Sequence, residues 1–278
     1  MYRSEPDADL GFDVTQLILV WNQVRHWAKK EDVLKHLGPQ IEHMRSVIRS
    51  TVVAAKLPTV NDNSGFAEVF GQVIDASEDE RIRISETLWE EGMRSLKEGS
   101  SDVEILRKAC MAREMLCADA VRNRIRAIEM RRVIVALGEE QLKQNADTSQ
   151  RLLLARDKRF LASALDAQND FEDALLFYQH AIQIYRAVKA QDDDDTAAAL
   201  NGSGVALYNL GRYQESISTY KQALDIRKRI LGEKHPSVAK CHYNIGLSFS
   251  RLGDYASTLE FFENDLRITV EVAGMKII

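Results

Sequence analysis

The segment LNGSGVALYNLGRYQESISTYKQALDI, which begins at Leu200, recurs 42 residues on as HYNIGLSFSRLGDYASTLEFFENDLRI, beginning at His242. Gly204, Leu210, Gly211, Tyr213, Leu224 and Ile226 meet identical residues at Gly246, Leu252, Gly253, Tyr255, Leu266 and Ile268, while Ile217 and Tyr220 meet Leu259 and Phe262. Stepping back by the same offset finds a weaker copy, with Ala162 for the first glycine, Asn169-Asp170-Phe171 for the Gly-Arg-Tyr turn, Tyr178 for Tyr220 and Ala181 for Ala223. A period of this length marks a stack of small units, none of which buries its apolar face alone.

The spacing within each copy dictates a helical hairpin. A small residue at Gly204 or Gly246 lets two helices cross closely, and a glycine at the turn takes positive φ at little cost. The turn aromatic and the later Tyr or Phe then fill the space between helices, so Tyr178, Tyr213, Tyr220, Tyr255 and Phe262 are expected in the core. Helices are predicted at about 156–168 and 172–187, 197–209 and 213–230, and 237–251 and 255–272.

Upstream of Gln150 the repeat fades but the helical pattern persists. Val14, Leu17, Ile18, Trp21, Val24 and Trp27 mark one amphipathic helix, and Ile41 to Ala55 a second. LPTVNDNSG from Leu57 reads as a loop, with a short helix near Phe66–Ile74 after it. Ser77 and Glu80 fit a capping box that opens a longer helix. Gly92, Leu96, Gly99 and Lys108-Ala109 then echo Gly204, Tyr208, Gly211 and Gln222-Ala223, which predicts a degenerate hairpin at about 84–116. A bridging helix follows from Ala118 to about Lys143. The expected division is 1–60, a helical region; 61–150, the hairpin and bridging helix; and 151–278, three repeats at about 155–191, 196–236 and 238–273.

Composition supports an all-α chain: glycine (14) and proline (4) are sparse and 45% of residues are apolar. A net charge of −5 gives no field that favours nucleic acid. Three cysteines, Cys110, Cys117 and Cys241, show no CxxC pair and read as core thiols of a reducing compartment. The acidic N-terminus and the shortness of the run Leu17–Trp21 argue against a transit peptide or membrane insertion, so the expected location is cytoplasmic.

The order LxxxGxxxxxLGxYxxSxxxYxxAL resembles the tetratricopeptide repeat, and the lengthened stretch RILGEKHPSVA, Arg229 to Ala239, resembles its kinesin light chain subclass. The resemblance implies a right-handed superhelical stack of hairpins preceded by an irregular helical region. It further implies that the first helix of each hairpin lines a concave groove that holds a peptide or helix of a partner protein. By position, the groove residues would be Arg156, Arg159, Phe160 and Ser163; Asn201, Val205, Tyr208 and Asn209; and Lys240, Tyr243, Asn244, Leu247 and Arg251. Asn244 could bracket a peptide backbone, and the cations favour an acidic or carboxylate-bearing segment. An ordinary solvated helix face is the alternative for Arg156, Lys240 and Asn209. Most of the Lys and Asn set that clamps chaperone tails is missing. Asp265 stands where a small residue is usual, and no polar capping helix follows, which suggests the start of an array or a fragment of a longer protein, with self-association or assembly into a cytoskeletal or ciliary particle as the alternative.

Other features point to solvent. Asp192–Asp195 falls on an inter-repeat stretch and reads as a solvated acidic loop without the alternation of a calcium site. Arg122, Arg124, Arg126, Arg131 and Arg132 form a basic stretch mixed with acids, open to reading as a partner surface. The histidines lack metal-ligand spacing, and His235 reads as structural. No phosphate loop, dinucleotide fingerprint or nucleophile elbow occurs, so neither catalysis nor a cofactor is expected; a regulatory region of a larger enzyme is the third reading.

Overall fold

The computed structural model describes residues 77–100, 103–114, 121–144, 147–189 and 191–272. The helices and loop expected between Val14 and Ile74 lie outside the described residues, as does Cys117. All regular structure among the described residues is helical, in two compact units, residues 1–127 and 128–278.

In the first unit, α1 (Glu78–Lys97) opens on the expected capping box. The Glu80 amide donates to Ser77 Oγ at 3.3 Å, and the Ser77 amide donates to the Glu80 carboxylate at 2.8 Å. Helix α2 (Glu104–Glu114) folds back on α1 where Gly92 leaves room for Leu106. Ser85 Oγ donates to the Ala109 carbonyl at 2.9 Å, and the buried Cys110 thiol donates to Ala127 O of the next helix, α3 (Val121–Gln144). Glu86 holds the three elements together, accepting from Arg113 of α2 and Arg126 of α3.

The second unit contains α3 from Ile128 onward and three hairpins: α4 (Thr148–Asp166) with α5 (Phe171–Val188), α6 (Asp194–Asn209) with α7 (Tyr213–Leu231), and α8 (Pro236–Leu252) with α9 (Tyr255–Val272). One continuous core runs through them, from Leu154 and Leu161 through Tyr178, Leu200 and Tyr220 to Ile245 and Ile268. The turns are as the sequence demands: Asn169, Gly211 and Gly253 take φ of 67°, 76° and 79°. A Cβ built on Gly246 would lie 2.6 Å from the Phe262 ring, so the glycine is what permits that ring its seat. His235 caps α8, its Nδ1 accepting from the Ser237 amide, and Pro236 takes the first helical position.

Two expectations are corrected. Helix α4 begins at Thr148, not near 156, because its early turns have a seat of their own: Leu154 is buried against Gly138 of α3. Tyr255, expected in the core, is 73% exposed. Its equivalent Tyr213 packs edge-to-face on Tyr208, a partner from its own hairpin; the residue in that register of the last hairpin is Ser250.

Candidate functional site

Helices α4, α6 and α8 touch in sequence and present one face across all three hairpins. On it, side chains of successive repeats pair in register. Asn244 Nδ2 of α8 donates to Asn201 Oδ1 of α6 at 3.2 Å. Arg251 Nε donates to the Tyr208 hydroxyl at 2.8 Å, with its guanidinium 5.6 Å above the Tyr208 ring. One repeat earlier the same register pairs Asp166 of α4 with Asn209 of α6. Leu247 and Val205 are partly buried along this face, as is Ser163.

The remaining predicted residues are placed differently. Phe160 is already engaged by two guanidinium groups, with Arg131 4.8 Å and Arg159 4.6 Å from its ring centre. Arg159 also pairs with Asp195 at 3.6 Å. Lys240 and Tyr243 line a cleft with α9, where Tyr243 stacks on Phe262 at 5.6 Å. Among the described residues no ion pair involves Arg156, Lys240 or Arg251.

Sequence reasoning missed Asp166, although the 42-residue offset from Tyr208 lands on it. One of its carboxylate oxygens is buried without a partner, and burial pushes its pKa up to about 6 against the single hydrogen bond from Asn209. A carboxyl whose folded pKa is raised weakens the fold above that value and recovers as pH falls toward the unfolded value near 3.8. Asp166→Asn is therefore expected to raise stability at pH 7.5 by about 1 kcal/mol, allowing for its partial exposure, and to have no such effect at pH 4.5. Thermal unfolding at the two pH values tests this.

Nor is Asp192–Asp195 a solvated loop. Asp193 accepts from the Thr196 amide at 3.1 Å and caps α6, and Asp194 and Asp195 form its first turn, where the helix dipole favours them. Asp192 pairs with Arg186 at 3.2 Å, Asp193 and Asp195 with Lys189, and Asp194 with Arg227 at 3.7 Å. The basic stretch of α3 is likewise engaged internally: Arg126 by Glu86, Arg131 buried over Phe160, and Arg132 by Asp173 at 3.1 Å.

Comparison with known proteins bears on what such a stack is. Family profiles described as tetratricopeptide repeat match residues 160–188 and 195–264. Those two stretches carry tetratricopeptide repeats. Among solved structures, a Podospora anserina kinesin light chain-like protein of nearly identical TPR-like repeats aligns over 83% of this chain and 98% of its own at 16% identity, with a TM-score of 0.57. MamA aligns over 77% and 99% at 18% identity with a TM-score of 0.53, and BtubC (BKLC) from P. vanneervenii over 73% and 95% at 17% with 0.50. These likenesses show the fold, a stack of tetratricopeptide-type helical hairpins. No curated protein sequence matches the chain. A tetratricopeptide array is a scaffold for protein–protein interaction, and no helix among the described residues is long and apolar enough to cross a membrane.

Proposed function

We propose that the face formed by α4, α6 and α8 is a concave groove that takes up an acidic segment of a partner protein, extended or helical. The observation that carries this is the in-register pairing of Asn244 with Asn201 and of Arg251 with Tyr208. These contacts hold the side chains at fixed positions before a partner arrives, so less rotamer freedom is lost on binding. The amide pair keeps an unused donor and acceptor for a peptide backbone. Arg251, bonded to a neutral hydroxyl, and Arg156 keep uncompensated charge for a carboxylate.

Asn244→Ala combined with Arg251→Ala removes both contacts from partly exposed positions. The double variant is expected to keep its circular dichroism spectrum and thermal midpoint. In affinity capture from native cells read by quantitative mass spectrometry, it should lose at least about tenfold of the specific partner signal. Unchanged capture by a folded variant would overturn the groove reading.

A further inference from the structure

Where α4, α6 and α8 end, each of the two junctions between hairpins carries one charge, and the two charges are of opposite sign. Between the first and second hairpins, Asp166 of α4 accepts from the Asn209 amide of α6. Between the second and third, Arg251 of α8 donates to the Tyr208 hydroxyl. The 42-residue register shows why both partners are neutral: the position of Asp166 holds Tyr208 and Ser250 in the later hairpins, and that of Arg251 holds Asn209 and Ala167 in the earlier ones. Among the described residues, neither charge has an ion-pair partner.

Asp166 and Arg251 reach the last turn of α6 from its two sides, through the adjacent residues Asn209 and Tyr208. Packed helices stand roughly 8–10 Å apart axis to axis, so the two charges are separated by on the order of 10 Å. Stacking leaves this register open: Asn209, the equivalent of Arg251, is exposed although α8 follows it, and Asp166 is only partly buried although α6 follows it. Asp166 is the less satisfied of the two. It holds its carboxylate against burial with one neutral hydrogen bond, and its Oδ1 has no partner. The titratable group facing it is Tyr220 of α7, whose pKa is pushed up by burial first and also by the charge of Asp166, so the phenol brings no counter-charge. A cation brought against this rim supplies the compensation that the fold leaves out.

Resting on the groove reading above, we propose that the segment held by the α4–α6–α8 face is of mixed charge, setting a lysine or arginine against Asp166 and an acidic residue against Arg251, on either side of the last turn of α6. A segment charged with one sign only would bring like charge to one of the two residues, so the pair discriminates against it. The unequal ends also fix the direction in which the segment crosses α6. A span of this size takes about three residues of extended chain, or about seven of helix.

A displayed library of random peptides without histidine, selected against the full wild-type chain and against Asp166→Asn, tests this. The wild type is expected to enrich sequences that carry a basic and an acidic residue at one recurring separation. Asp166→Asn keeps the side-chain shape and the hydrogen bond with Asn209, and it should retain the acid and lose the base. The most enriched wild-type peptide, made with a fluorophore, is then titrated against both chains by anisotropy. Its affinity for the wild type should fall about tenfold between pH 7.5 and pH 5.0, because the Asp166 carboxyl titrates at about 6 and offers the base no charge once protonated. For Asp166→Asn the change should stay below about twofold, whereas a purely structural Asp166 would give both chains the same profile. Peptides with acids but no recurring base, a base retained in Asp166→Asn, or a pH profile common to both chains would overturn the mixed-charge proposal and leave the acidic-segment reading standing. Enrichment of no sequence at all would overturn both.

Discussion

Replacing Gly204 with valine is expected to lower the unfolding free energy by about 3 kcal/mol. A Cβ at this position would lie 2.6 Å from Cε1 and 2.7 Å from Cδ1 of Tyr220. No carbon tolerates that approach, and the ring is buried, so relief requires helices α6 and α7 to part. Against this stands the helical propensity recovered on removing an interior glycine, at most about 1 kcal/mol for alanine and less for a β-branched residue. The steric term wins. Gly138 provides the contrast, since its Cβ would meet only the terminal methyl of Leu154 at 3.1 Å, and Gly138→Ala should stay within about 1 kcal/mol of wild type. Urea denaturation followed by circular dichroism measures both. If the cause is the ring, adding Tyr220→Ala to Gly204→Val should cost less than the two single changes together, with a coupling of about 1 kcal/mol or more. An unaltered midpoint for Gly204→Val, or strict additivity, would show that α6 and α7 do not meet as described.

The parts of the fold that were legible in the sequence are those that a single position fixes. Gly204 and Gly246 face aromatic rings of their own repeat, and Gly211 and Gly253 hold a backbone conformation most residues avoid, so each leaves its mark at one position. Burial conferred by a neighbouring element was not legible. Tyr255 and Tyr213 are identical residues in identical register, yet Tyr213 has Tyr208 beside it and Tyr255 has Ser250 in the same place. Charge was misread for a related reason. The partners of Asp192–Asp195 include Arg159, Arg186 and Lys189 from the repeat before, so the acids look solvated until the repeats are stacked. On the candidate face, the family resemblance carried over by position put Asn201, Tyr208, Asn244 and Arg251 on one side of the helices. Their pairing depends on the displacement between adjacent hairpins, which no single repeat encodes. The same holds for Glu86, whose two arginines lie 27 and 40 residues away.

Glu86→Ala is expected to cost the first unit about 3 kcal/mol, because it strands a buried cation. Arg113 is 5% exposed and has two acceptors, Glu86 and Asn123 Oδ1 at 3.0 Å. Arg126 approaches the same carboxylate through two nitrogens, at 3.1 and 3.0 Å, so one acid compensates two guanidinium groups. Without it the arginines repel each other; burial already pulls the Arg113 pKa down, and the charge of Arg126 pushes it the same way. Arg126 retains its place over the Trp89 ring at 5.8 Å and reaches solvent, whereas Arg113 has no such outlet. The pH dependence follows with a definite sign. The Arg126 hydrogen bond, ahead of the two arginine charges, holds the Glu86 pKa below its ordinary 4.5. The stabilisation is therefore complete above the unfolded value and is lost as pH falls through the lower folded one. The gap between wild type and Glu86→Ala should accordingly close on acidification below about pH 4.5. Trp89 fluorescence in a Trp21→Phe, Trp27→Phe background reports on this unit directly during urea unfolding. Adding Arg113→Met to Glu86→Ala removes the stranded charge and should restore about 2 kcal/mol. A Glu86→Ala protein with the wild-type midpoint, or a double variant weaker than Glu86→Ala alone, would mean that the carboxylate is not what holds α1, α2 and the start of α3 together.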